Sequence, residues 1–333
     1  AVGDYRIPGI ETKAAFQRRG KRKPSGGAPA PTDIIGQKAV KDLSAQMDAQ
    51  GRLMWDVPVG KWTILRIGHT CTGAQNAPAP ASGRGLECDK LSKAGIEANF
   101  NGMMAKLAAD TGITTHRTPG GLVATHIDSW ENGSQNWTAK MREEFQARRG
   151  YDMTPYLPVF TGRVVGSPEI SDRFLWDVRR TISELVIENY AREFHRLANS
   201  HGMRFTVEAY GGPCDCIPYG GQSDEPMGEF WTPGGGAIQT CRGMASAGHI
   251  YGKRIIGAES FTSGDQERWR EHPALLKALG DRAFCDGINR FVFHRYAMQP
   301  WLNYRPGMTM GPWGQHYERT ETWWEESRPW HEY

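Results

Sequence analysis

The stretch Thr125-His126-Ile127-Asp128-Ser129-Trp130-Glu131 decides how the chain is read. It follows the turn signal Pro119-Gly120 and the apolar run Gly121-Leu122-Val123-Ala124, which together predict a short buried strand. Polar Asn132-Gly133-Ser134 comes next, then a helical pattern from Trp137. Two carboxylates and an indole therefore stand where a buried strand gives way to a loop. In β/α proteins that edge is where side chains meet substrate. A second stretch has the same design: Arg254-Ile255-Ile256-Gly257-Ala258-Glu259-Ser260-Phe261. Two strand-end glutamates, each near an aromatic, are the groups needed to hydrolyse a glycosidic bond.

Working outward, strand-like runs recur at 62–69, 121–128, 204–210, 227–231, 254–260 and 289–296. Between them lie helical patterns: Ser92 as N-cap of a helix to about Leu107, a charged helix over 137–149 closed by Gly150, and the long stripe of 171–199 closed by Gly202. Further helices are expected over 238–252 and 272–284, and Tyr151 to Pro168 reads as extended. Alternation of strand and helix predicts a parallel sheet with covering helices. Carboxylates or His end nearly every strand and no Gly-x-Gly-x-x-Gly turn is present, so the α/β class resolves to a TIM-like (β/α)8 barrel. Six of eight strands are countable, so the barrel is expected to be incomplete at its N-terminus. Residues 1–60 read as an irregular segment with a small β-hairpin insertion (Met54–Val57 against Trp62–Gly68), and 61–333 as the partial barrel domain.

Net charge is +3 over 333 residues, which favours neither nucleic acid nor a membrane surface as partner. The basic run Arg18–Lys23 precedes a Pro/Gly/Ala-rich segment and reads as a solvated loop. Twelve Trp, several in polar loops, tilt the composition toward carbohydrate, because indole faces stack on sugar rings. Six cysteines show no paired framework, and Cys214-Asp215-Cys216 lacks the spacing of a zinc site. No apolar run reaches membrane-spanning length.

Glycoside cleavage needs one group to protonate the leaving oxygen and another to activate water or attack directly. Glu131 and Glu259 suit these roles, and Asp128, Glu208 and Glu229 join them at the same expected rim. A strand-end Glu can equally be held by an Arg at the rim, but five acids at equivalent positions are hard to attribute to that. Five acids cannot all ionise side by side without a proton or a hard cation among them; Ca²⁺ suits Asp128, Glu208 or Glu229 better than zinc does. His294 and His69 read as hydroxyl partners or packing residues before metal ligands. Trp130, Tyr210, Trp231 and Trp301 lie at or beyond strand ends as sugar-facing candidates, with Phe230 and Phe261 as an apolar wall. A non-catalytic carbohydrate-binding barrel fragment and another metal-assisted hydrolase are the alternatives.

Longer motifs sharpen this. Gly85-Leu86-Glu87-Cys88-Asp89-Lys90-Leu91-Ser92, Asp128-Ser129-Trp130-Glu131-x-Gly-Ser-Gln-Asn-Trp137, Arg148-Arg149-Gly150-Tyr151-Asp152, Pro226-Met227-Gly228-Glu229-Phe230-Trp231, Ala258-Glu259-Ser260-Phe261-Thr262 and Gln299-Pro300-Trp301 resemble the α-L-rhamnosidases of glycoside hydrolase family 106. The resemblance runs from about residue 40 onward and implies a middle portion of a larger enzyme. It implies inverting, calcium-dependent release of terminal α-L-rhamnose from plant polysaccharides, pectic glycans or other rhamnosides, in the periplasm or outside the cell. Carried over by motif, Glu131 resembles the general acid, Glu259 the general base and Asp128 a supporting acid; Glu208 and Asp128 are the implied metal ligands. His294, Glu229, Tyr210 and the tryptophans are then the substrate-binding set. Inversion implies carboxyls roughly 6.5–9.5 Å apart.

Overall fold

The computed structural model describes residues 5–15, 27–77, 79–112, 121–232, 239–264, 267–309, 311 and 313–333. The basic run Arg18–Lys23 and the turn Pro119-Gly120 lie outside the described residues. The first half holds α1 (Ile10–Lys13), β1 (Ile34–Ile35), α2 (Lys93–Gly102), α3 (Met104–Thr111), β2 (Ala124–Ile127), α4 (Met141–Arg149), β3 (Val164–Val165) and α5 (Pro168–Leu185). Then come α6 (Glu193–Ser200), β4 (Arg204–Glu208), α7 (Cys216–Gly221), β5 (Glu225–Trp231), α8 (Gln239–Tyr251), β6 (Gly257–Thr262), α9 (Pro273–Cys285), β7 (Arg290–Phe293) and α10 (Arg328–Glu332).

One compact unit draws on residues 1–74, 89–92 and 132–186. Its spine is α5, which starts where Ser167 Oγ accepts from Ile170 N (3.1 Å) and Pro168 supplies a first-turn residue with no N–H to satisfy. Phe174, Leu175, Val178, Ile182 and Leu185 form its buried stripe. Phe174 stacks on Tyr156 at 5.3 Å and meets Phe145 of α4 at 5.7 Å. α4 stops at Gly150, whose φ of 80° a side chain would strain and whose N–H closes on Gln146 O. The predicted 171–199 helix is present but not uniform: after Leu185 it widens into a π-helical stretch, Val186–Arg192, before α6. The extended connection expected over 151–168 contains instead a 3₁₀ helix, Thr154–Thr161.

The hairpin insertion and the strand at 62–69 do not form. Residues 62–69 are irregular, and only an isolated antiparallel bridge, Met47 with Leu53, lies nearby. The reason is burial: Met54, Val57, Val59, Ile64 and Ile67 are all exposed, so neither edge of the alternating pattern has a core to join. Trp62 packs edge-on to Trp55 at 5.2 Å and donates to Pro58 O, which makes a local turn cluster.

The second unit comprises residues 75–88, 93–131 and 187–333. The single helix expected up to Leu107 is here two, α2 and α3, broken at Met103 (φ −132°). Five strands form one parallel sheet in the order β2-β4-β5-β6-β7. Leaving aside β3, which pairs with β1 in a separate sheet, each neighbour in space is the next strand in sequence, the order produced by repeated right-handed crossovers in a barrel wall. Five strands make an arc of such a barrel, against the six counted and the eight of a closed one. Registers run Ile127 beside Val207, Glu208 beside Met227, Glu229 beside Glu259, and Glu259 beside Val292.

Because side chains alternate along a strand, these registers sort the sheet into two faces. Phe205, Val207 and Phe230 turn to the apolar face and are fully buried. Phe230 and Phe261 therefore cannot wall a sugar pocket; they pack on each other at 4.9 Å, with Phe291 against both. The other face carries His126, Asp128, Thr206, Glu208, Glu225, Glu229, Glu259, Arg290 and, just past β7, His294, the face that a closed barrel turns inward. Gly228 brings α8 onto β5, since a Cβ there would sit 2.9 Å from the backbone of Cys241.

Candidate active site

Two local irregularities aim the acids. The β5–β6 register slips between Glu229 and Trp231, the mark of a bulge, which re-aims side chains. Thr240 at the start of α8 donates its hydroxyl to Glu229 O (2.8 Å) and accepts from Glu229 N (2.7 Å), fixing that backbone from outside the sheet. The Trp231 indole then donates to Glu229 Oε1 at 2.5 Å. On β6, Phe261 sits in the left-handed region (φ 58°), an uncommon and strained conformation for a non-glycine residue. That twist carries Thr262 round so that its hydroxyl donates to Glu259, a contact three residues apart that a regular strand would place on opposite faces.

Glu208 ends β4 and is 2% exposed. The Tyr210 hydroxyl donates to its Oε2 at 2.6 Å. Burial first, then the charges of Glu259 and Asp128, push its pKa up to about 10, with the Tyr210 bond opposing the shift. At neutral pH Glu208 therefore holds a proton in the cation-free protein, shared with Asp128 and Glu259 through side-chain hydrogen bonds. Glu259 is raised chiefly by burial and further by the charges of Asp128 and Glu131, while the Thr262 hydroxyl and the Glu208 proton pull it back. Glu229 is raised by burial and by Glu259 and Glu131, and lowered by the indole of Trp231 and by Tyr210.

Glu131 lies on the exposed loop beyond β2, where the Ser129 hydroxyl donates to its Oε1 at 2.8 Å. Ser129 also ties its own N–H to Asp128 Oδ1 (2.7 Å), so one serine sets the spacing of both acids. The electrostatic reach of Glu131 to Glu229 and Glu259 brings the strand-end acids into one group. His294 faces the same group: burial and Arg295 lower its pKa, and Asp128 and Glu229 oppose them. Trp130 packs edge-on to Tyr190 of the π-helical stretch at 6.3 Å and lies against Gly212. Trp301 stands apart, 60% exposed in the loop after β7, with Tyr304 as its ring neighbour.

His126 is an addition that sequence reasoning passed over. One ligand atom each of His126, Asp128 and Glu208 lie within 4.8 Å of one another. His126 precedes Asp128 by two on one strand, so period-two alternation alone puts both on one face. Its Nδ1 pairs with Thr206 Oγ1 at 2.7 Å across the β2–β4 register. His126 is exposed, but desolvation lowers its pKa, Asp128 opposing, and a neutral imidazole is the form that binds a metal. The orienting roles of Thr262, Ser129 and Thr240 also went unread, since nothing in their spacing announces a bulge or a left-handed residue.

The family model of the alpha-L-rhamnosidases, glycoside hydrolase family 106, matches residues 3–333. The chain belongs to glycoside hydrolase family 106. A Formosa agariphila protein named putative beta-glucuronidase is 41% identical over 300 residues, 90% of this chain and 25% of that protein. The solved structure of a rhamnosidase from Novosphingobium sp. PP1Y matches with a TM-score of 0.78 and 29% identity, over 96% of this chain and 32% of that one. This family 106 chain thus spans a quarter to a third of the length of the proteins it matches.

Proposed function

We propose that the chain carries the bond-cleaving centre of an inverting α-L-rhamnosidase, with Glu131 as general acid and Glu259 as general base. The observation that supports the reading is that Asp128, Glu208, Glu229 and Glu259 stand at one end of the parallel sheet, on the same face, with Glu131 on the loop just past β2 and its charge raising the pKa of Glu259. In the cleavage step Glu131 gives its proton to the glycosidic oxygen as the C1–O bond breaks. Water adds to C1 from the opposite face and loses a proton to Glu259. The Thr262 hydroxyl, a donor to Glu259, favours the ionised form that this requires. Proton exchange with solvent resets both residues.

Asp128, Glu229, Tyr210, Trp231, His294 and Trp130 would position the sugar, with Trp301 at the outer edge. Asp128 and Glu208 fit a divalent cation, calcium by the donor preference of carboxylates, with the His126 imidazole beside them. A cation held by these residues would supply positive charge that favours ionised Glu208 and would offer a partner to sugar hydroxyls. The name of the Formosa relative raises a glucuronide as the other substrate. A uronate carboxylate would enter a site already crowded with acids, so the uncharged rhamnoside is the better fit. Terminal α-L-rhamnose on plant polysaccharides, pectic glycans or smaller rhamnosides is the proposed substrate, met in the periplasm or outside the cell.

The test is release of p-nitrophenol from the α-L-rhamnoside and the β-glucuronide, before and after chelation and reloading with Ca²⁺, Mg²⁺ or Zn²⁺, with NMR of the first-formed anomer. Rhamnoside hydrolysis that chelation abolishes, calcium restores, and that yields β-rhamnose first is the expected result. Cleavage of the glucuronide alone would overturn the substrate, and first-formed α-rhamnose would overturn inversion.

A further inference from the structure

The loops that follow β6 and β7 line an open cavity of about 400 Å³, walled by Trp269, Arg305, Pro306, Thr309, His316 and Glu321 among others. None of the strand-end acids lines it. Its size falls within the range of small-ligand sites, about 300–1,000 Å³. Backbone pairing places it at the same end of the sheet as Glu259. His294 N donates to Ser260 O (3.1 Å), Arg295 N to Gln315 O (2.8 Å), and Tyr317 N to Arg295 O (3.0 Å), so the His316 segment is laced to the ends of β6 and β7.

Three features mark this cavity. Trp269 is 41% exposed, yet its ring is held by stacking on His316, centroids 5.4 Å apart and planes 18° off parallel. His316 is 8% exposed, and its Nε2 is buried with no hydrogen-bond partner. Arg268 and Trp269 both occupy the left-handed region (φ 50° and 56°), a strain that clusters at ligand clamps. By contrast Glu318 in the wall is satisfied, accepting from Gln299 Nε2 (2.5 Å), Thr320 N (2.7 Å) and the Thr320 hydroxyl. Two carboxylates, Glu318 and Glu321, against one guanidinium, Arg305, make the lining unsuited to phosphate or a uronate. A flat, fixed indole with hydroxyl-sized donors and acceptors around it suits the C–H face and hydroxyls of a neutral pyranose.

We infer that this cavity is a sugar subsite that takes a neutral ring of the glycan other than the one being released. The inference rests on the glycosidase reading of the acid group and deepens it: the chain would hold a branched or extended glycan, not a lone rhamnoside. Trp269, backed by the His316 ring, forms the platform, and Arg305 and Thr309 bond hydroxyls.

The experiment compares the full chain with Trp269→Ala and Trp269→Phe, each also in a Glu131→Gln background that prevents turnover. Calorimetry measures binding of methyl α-L-rhamnoside and of a neutral rhamnose-capped tetrasaccharide; kinetics use p-nitrophenyl α-L-rhamnoside. Trp269→Ala should weaken the tetrasaccharide about tenfold, the order expected for losing a stacked ring. Trp269→Phe should keep most of the affinity, and all three should bind methyl rhamnoside and turn over the aryl rhamnoside alike. Equal tetrasaccharide affinity in folded wild type and Trp269→Ala, or none in either, overturns the subsite. Absent rhamnoside turnover with tetrasaccharide binding that still depends on Trp269 overturns the rhamnosidase reading and sustains the subsite.

Discussion

Replacing Glu208 by Gln puts the electrostatics of the acid group under direct measurement. In the unfolded chain this carboxyl loses its proton near its ordinary value of 4.5, whereas in the folded, cation-free protein it keeps it up to about 10. Between those values the folded state binds one more proton than the unfolded state. Stability that is fully present below pH 4.5 is therefore lost as pH rises, by about 1.4 kcal/mol per unit. Over pH 5 to 7 that amounts to about 3 kcal/mol, and it belongs to Glu208 and its coupled neighbour Glu259 together. Glutamine imitates protonated Glu208: its carbonyl accepts from Tyr210 and its amide donates where the carboxyl proton did. Urea unfolding of the full chain in chelator at pH 5, 6 and 7 should show wild type losing about 3 kcal/mol relative to Glu208→Gln. Calcium should recover much of that loss in wild type and little in the variant. Parallel pH curves for the two proteins would refute a proton held at Glu208, and with it the account of why a cation belongs there.

Three further outcomes follow from the same geometry. Glu131→Gln should cut kcat about 10²–10⁴-fold on a rhamnoside with a poor leaving group while KM changes little, because a general acid acts in the transition state; steady-state kinetics at pH 7 decide it. Thr262→Val removes a donor that favours ionised Glu259, so the pKa of the base rises and the acidic limb of the kcat/KM profile should move to higher pH. Phe230→Ala empties a fully buried position beside Phe261 and Phe291, and should cost about 3–5 kcal/mol in urea unfolding with the surviving folded fraction unaltered in KM.

Much of the architecture was legible because strand alternation and helix stripes are local signals. The strands at Thr125, Thr206, Gly228 and Ala258, the helices α8 and α9, and the acids at their ends all stand where the pattern put them, with boundaries shifted by a few residues. The misread segment, Trp62–Gly68, carries an equally good local pattern; it fails because no partner surface buries it, which is a tertiary fact. Phe230 and Phe261 misled in the same way, since an aromatic at a strand end can face core or solvent and only register tells which. The aiming of Glu229 and Glu259 depends on a bulge and on a left-handed phenylalanine, and neither leaves a mark in residue type. His126 could have been read, two places before Asp128, had the strand's alternation been followed toward its start.

The polar face of the sheet contains its own control experiment. At the amino ends of the strands Glu225 is as deeply buried as Glu208, but it is clamped between Arg290 and Arg204, the latter at 2.7 Å. Buried charge there is balanced by opposite charge, the ordinary solution for a structural acid. At the carboxyl ends, among the described residues, no lysine or arginine forms an ion pair with Asp128, Glu131, Glu208, Glu229 or Glu259. Their donors are neutral: Ser129, Tyr210, Trp231 and Thr262. Neutral donors orient a carboxylate without fixing its charge, so these acids stay free to exchange protons or to receive a cation. One face and one set of strands thus carry two opposite arrangements of acids: ion-paired at the amino end, and held by neutral donors at the carboxyl end, where the proposed chemistry lies.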